Sequence, residues 1–138
     1  MSIDSYGPPV DLEHAKRAAA AALAEAKSND WRMAAAIVDV SGTLVYYEKM
    51  DDTQNGSAVV AIEKARSAAL FKRPTKAFQD ALAGGGSGLR VLRIRGAIPV
   101  EGGLPLVVGG KIAGAIGVSG GTSEQDGQCA KCGVEALG

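Results

Sequence analysis

Hydrophobic positions along the chain change period several times, and each change marks an element. Leu12, Ala15, Ala19, Leu23 and Ala26 recur at helical spacing, which predicts an amphipathic helix from Asp11 to about Ser28. Asp11 has the side chain that caps such a helix. Met33–Val40 (MAAAIVDV) is almost continuously apolar and reads as a buried strand. Ser41-Gly42 turns the chain, and Thr43–Met50 (TLVYYEKM) reads as the returning strand. After the polar loop DDTQNGS, helical spacing resumes from Ser57 to Phe71, with Val59, Ile62, Ala65, Ala69 and Leu70 as the expected buried side. Arg73-Pro74 ends that helix. Thr75 is expected to cap a short helix that stops at Gly84-Gly85-Gly86.

Residues 87–101 show no clear period, and GLRVLRIR fits either a strand or an irregular turn. From Leu104 the pattern sharpens. LPLVV and KIAGAIGVS read as strands joined by Gly109-Gly110, a dipeptide suited to the positive φ angles of a type I′ hairpin. Thr122 and Gln125 have the spacing of a capping box and start a last helix. The order helix, hairpin, two helices, hairpin, helix predicts an α+β domain, an antiparallel sheet with helices packed on it. Residues 1–10, with Pro8-Pro9, are expected to form a flexible N-terminus, and residues 11–138 a single domain.

Charge narrows the function. Fifteen basic residues balance fifteen acidic ones, which argues against nucleic acid or an anionic membrane as partner. Aromatic residues make up 4% of the chain, too few for a base-stacking surface. Near-zero net charge also lowers the self-repulsion that opposes a homo-oligomer. The N-terminal sequence lacks a basic n-region, and no apolar run would span a bilayer, so the expected location is cytoplasmic. Two cysteines, Cys129 and Cys132, make no disulfide framework.

Candidate chemistry gathers at glycines. Gly102-Gly103 precedes the second hairpin, Ser119 ends it, and Gly120, Gly121 and Thr122 follow. The two ends of a hairpin are neighbours, so these residues are expected to line one patch open to a small anionic ligand, beside the N–H groups that begin the last helix. Tight sheet-to-helix connections would use the same glycines. Glu101 and Asp126 flank the patch and have the chemistry of an acid or base. Glu101 could equally be a rim charge, and Asp126 a partner of the helix dipole. Arg90, Arg93 and Arg95, with Lys72, Arg73 and Lys76, could hold carboxylates of a porphyrin or small acid, or form a solvated face. Cys129 and Cys132 fall two ligands short of a zinc set and lie inside a helix, so no metal site is expected there; an intersubunit metal or disulfide is the alternative. His14 is the sole histidine and sits in the first helical turn, where the dipole disfavours positive charge. A neutral imidazole there could ligate iron; a solvent-exposed ring is the other reading.

The stretch IPVEGGLPLVVGGKIAGAIGVSGGTSEQDGQCAKCG resembles the signature of the GlcG/HbpS family, also known as the DUF336 or haem-degrading-domain-like family. AAAIVDVSGTLVYYEKMD resembles its first hairpin, and ARSAALFKRPTKAF its central helix with the Arg-Pro-Thr break. The resemblance covers nearly the whole chain. It implies a profilin-like α/β sandwich that forms oligomers and, in some members, binds haem through a histidine of the first helix. Related domains are fused to corrinoid adenosyltransferases, so haem or a corrinoid is the implied cofactor. Two departures stand out: Lys49-Met50-Asp51-Asp52 where many members read Arg-Met-Asp-Gly, and Cys132 where a small alanine is common. The expected functions are therefore a haem- or tetrapyrrole-binding oligomer, an enzyme or sensor acting on a small carboxylate in the glycine-lined pocket, or a structural accessory subunit.

Overall fold

The computed structural model describes residues 5–138. Helix α1 (Leu12–Ser28) starts where the Asp11 carboxylate accepts the backbone N–H of His14 at 2.8 Å. Its buried stripe is Ala15, Ala18, Ala19, Ala22, Leu23 and Ala26, whereas Leu12 stays half exposed. Strands β1 (Ala34–Asp39) and β2 (Leu44–Lys49) form the first hairpin. Its turn is wider than the two residues expected. Asp39 Oδ1 accepts the Ser41 N–H, the Ser41 hydroxyl and the Thr43 N–H at 2.7–3.0 Å, which draws Val40 into the turn. Asp52, in the loop that follows, holds the left-handed conformation (φ +65°) that glycine adopts without strain.

Helix α2 (Gly56–Phe71) leads to α3 (Thr75–Ala83) and a 3-10 segment, Gly86–Arg93. Strands β3 (Gly103–Val108) and β4 (Lys111–Ser119) make the second hairpin, turned by Gly109 and Gly110 at φ +60° and +77°. Helix α4 (Ser123–Glu135) closes the chain. All strand pairs are antiparallel, in the order β2-β1-β4-β3, with Ile37 opposite Ile116 at the central pairing.

The sheet is covered on both faces. Helices α1 and α4 share a core with Met33, Ala35, Ile37, Leu106, Ile116 and Val118. Helix α2 packs on Ala34, Ala36, Val38 and Ala115 through Ala61, Ala65, Ala68 and Ala69. The second interface is unusually close. A Cβ on Gly117 would overlap the carbonyl oxygen of Ala61, and one on Gly103 would overlap that of Lys64. Ala65, Ala69 and Ile62 lie on the expected side, but this closeness corrects the expectation for Val59 and Leu70. Small residues turn inward to meet a glycine-bearing sheet, so Val59 (59% exposed) and Leu70 (42%) point outward. The register slips between Leu106 and Val107, and Ala113 and Ala115, which strict alternation would place on one face, serve opposite cores.

Two further expectations change. Thr75 does not cap α3; Pro74 stands at that position, and the buried Thr75 hydroxyl accepts the Gly103 N–H at 2.9 Å. Residues 5–10 of the expected flexible N-terminus are tied down. The Ile112 N–H donates to the Ser5 carbonyl, the Gly7 N–H to Ile112 and the Val10 N–H to Ala113. Pairing of β1 with β4 stops at Gly114, so the start of β4 offers backbone groups that this segment satisfies. The remainder of that stretch, residues 1–4, lies outside the described residues.

Gly117→Ala is expected to lower unfolding stability by about 3 kcal/mol, the upper range for overpacking, because the atoms it meets are helix backbone. Urea unfolding measures this. A loss below about 0.5 kcal/mol, the scale of an ordinary surface change, would contradict the close α2–sheet contact.

Candidate functional site

The ends of the second hairpin do meet: the Val118 N–H donates to the Gly102 carbonyl at 2.9 Å. What fills the space between them is protein. Lys64, on α2, is 1% exposed and extends its amine to Asp126 Oδ2 at 2.8 Å and to the Val118 carbonyl at 3.0 Å. Asp126, on α4, accepts the Gly121 N–H through its other oxygen at 2.9 Å. Burial pushes the Lys64 amine down and the Asp126 carboxyl up from their ordinary values, and each partner pulls the other back.

This pair explains the glycines. Gly102 has φ +133°, and a side chain there would press on the Lys64 amine and the Val118 carbonyl. A Cβ on Gly120, at φ +152°, would overlap the carbonyl of Arg32. Gly121 abuts Met33 and Gln125. Thr122 and Gln125 form a reciprocal capping box, in which the Gln125 N–H donates to Thr122 Oγ1 and the Thr122 N–H to Gln125 Oε1. The Gly121 N–H, just before α4, is thus taken by Asp126 and the N–H of Gln125 by the Thr122 cap, so the expected shared patch is largely filled. Ser119 is buried.

Of the six residues expected there, Gly102 and Gly103 line an open cleft of about 380 Å³, with Pro74, Lys76, Glu101, Leu104, Gly127 and Lys131. Glu101 is held from its backbone, whose N–H donates to Gln79 Oε1 at 2.7 Å. Its carboxylate lies against Gly127, where any Cβ would collide with it. Burial raises its pKa, against the pull of Lys76. Lys76 is bound to Asp80 at 2.9 Å on the rim.

A larger cleft, about 470 Å³, opens at the other end of the hairpin. Pro8, Pro9, Val10, Asp11, His14, Val108, Gly109, Lys111 and Ala113 line it. The docked N-terminal segment makes one wall, so this cleft depends on contacts that the sequence did not reveal. His14 Nδ1 lies 2.7 Å from Asp11 Oδ1, the same oxygen that caps α1. The His14 backbone N–H, first, and its ring hold the Asp11 carboxyl below its usual range. An ionised carboxylate can only accept, so Nδ1 donates and Nε2 is the ring nitrogen left for other partners.

The remaining candidates are dispersed. Lys72 stacks on the Tyr6 ring, and Arg73 on Phe78. Arg90, Arg93 and Arg95 are exposed along and just beyond the 3-10 segment. Cys129 is buried and Cys132 half-buried; both are free thiols, and burial pushes Cys129 up to about 12. A thiol at that value is not a nucleophile at neutral pH. Lys64 escaped the sequence reading because a lysine between Glu63 and Ala65 looks like a helix surface.

A four-stranded antiparallel sheet between helices, with the hairpin order seen here, defines a small profilin-like α+β sandwich. The chain belongs to the HbpS-like family: the family model described as "Haem degrading protein HbpS-like" matches residues 10–135. It is 38% identical to Protein GlcG of Escherichia coli K12 over 100 residues, 72% of this chain and 73% of that protein. Its fold is similar to that of a variant of HbpS from Streptomyces reticuli, with TM-score 0.87 and 28% identity over 97% of this chain and 90% of the other. It is also similar to PduOC, solved as a haem complex, with TM-score 0.83 and 27% identity over 94% and 95% of the two chains. No helix among the described residues is long and apolar enough to cross a membrane.

Removing one member of the buried pair leaves the other charge uncompensated, so Lys64→Met or Asp126→Leu alone is expected to cost about 3–5 kcal/mol. The double variant is expected to be more stable than either single one, because both desolvation penalties vanish together. Chemical denaturation of the four proteins measures the cycle; additive losses would show that the two groups are not coupled.

Proposed function

We propose that this chain is a haem- or tetrapyrrole-binding protein that works as a homo-oligomer in the cytoplasm. The observation that carries this reading is His14 in the larger cleft, with Nδ1 engaged by Asp11 and Nε2 left over. The residues fit such a group. Pro8, Pro9, Val10, Val108 and Ala113 offer apolar surface to a macrocycle, His14 a nitrogen for its metal, and Lys111 a cation for a propionate. The bound group would supply a metal centre; the chain binds and orients it. The family description and the haem complex of PduOC support the same ligand class. Two free thiols accord with a reducing compartment. Exposed Val59 and Leu70 on α2, with Leu89 and Leu92 on the 3-10 segment, supply apolar surface for self-association.

A second reading rests on Glu101, whose half-buried carboxylate faces Gly127 in the smaller cleft, with Lys131 nearby. That arrangement suits a small acid: Lys131 meets its carboxylate and Glu101 an adjacent hydroxyl, as binding site or as acid–base machinery.

Titration with ferric haem is expected to give a Soret band that His14→Ala shifts, with binding weakened at least tenfold, since the metal loses its nitrogen ligand. An unchanged spectrum would refute His14 as ligand. Light scattering at micromolar concentration is expected to give a mass of at least two chains; a single-chain mass would refute the oligomer.

A further inference from the structure

We infer that Asp11 is a positioning residue for His14: it fixes the imidazole as the Nδ1–H tautomer and so presents bare Nε2 as the metal-binding atom of the cleft. This rests on the haem reading for its purpose, but not for its geometry. One carboxylate oxygen, Oδ1, receives both the backbone N–H of His14 at 2.8 Å and its ring Nδ1 at 2.7 Å. The helix cap and the ring orientation are thus one contact. The ring sits three residues after the cap, so its backbone is held by the first helical turn while its side chain is held by the residue that starts the turn. A carboxylate on the far nitrogen of a metal-bound imidazole also raises its basicity and fixes its rotation. Ligand and orienting group are thus encoded three residues apart, D-L-E-H, with no long-range contact required.

Two substitutions separate capping from positioning. Asp11→Ser keeps a side chain that caps helices but is too short to reach the ring. Asp11→Asn keeps reach and cap but removes the negative charge. Long-range proton–nitrogen spectra of the full-length, ligand-free protein at alkaline pH read the tautomer directly. The natural chain is expected to carry its proton on Nδ1, and Asp11→Ser to shift the population towards Nε2–H with its helix content unchanged. Ferric haem is then expected to bind Asp11→Ser on the order of 10- to 100-fold more weakly, the usual cost of losing an outer-shell partner. Asp11→Asn should fall between the two in affinity and keep most of the Nδ1–H tautomer. A natural chain with its proton on Nε2, or the same tautomer and haem affinity in Asp11→Ser, would overturn the inference. If the natural chain shows Nδ1–H yet takes no haem, the positioning contact stands and the haem reading falls.

Discussion

The contact on which the rest of the domain depends is the buried pair of Lys64 and Asp126. It joins α2, which lies on one face of the sheet, to α4, which lies on the other, by passing beside the end of β4 at Val118. Two charges in a dry interior are stabilising only when their other hydrogen-bonding capacity is met. Here the Val118 carbonyl and the Gly121 N–H meet much of it. That requirement fixes the backbone on both sides, from Gly102, whose carbonyl takes the Val118 N–H, to Gly121. The glycines are small because the pair and the α2 backbone occupy the space that side chains would need.

The consequence for function is a division between the two ends of the β3–β4 hairpin. At the Gly102 end, charge is largely satisfied internally, and what opens to solvent is a modest cleft with one half-buried carboxylate. At the Gly109 end, the N-terminal segment lies beside β4 and builds a larger wall-and-floor cleft around His14. Only the second combines apolar surface, an oriented nitrogen and a nearby cation, the three things a metallated macrocycle needs.

Local signals in the sequence were enough to read much of this. Asp11, the Gly109-Gly110 turn and the Thr122–Gln125 box each act within a few residues, and each stands where its own chemistry predicts. What the sequence hid was every feature set by distant packing. On helix α2 periodicity placed Ala65 and Ala69 correctly in the core but included Val59 and Leu70, which lie outward because the close contact with the glycine-bearing sheet admits only small side chains. Lys64 reads as a surface residue because its partner lies sixty-two positions away. Pro8-Pro9 reads as loose chain because the vacant edge of β4 is invisible from the N-terminus. His14 was legible as a candidate, but the cleft around it was not.

The central claim is that a haem-type ligand enters at His14 and not at the glycine cleft. Paramagnetic line broadening in the nitrogen-labelled protein tests this most directly, because ferric iron broadens the amides nearest to it. The account predicts loss of signal at Val10–Ala15 and at Val108–Ala113 on adding haem, with Glu101–Leu104 and Gly127–Lys131 retained. Broadening centred on the second group, with the first unaffected, would contradict it.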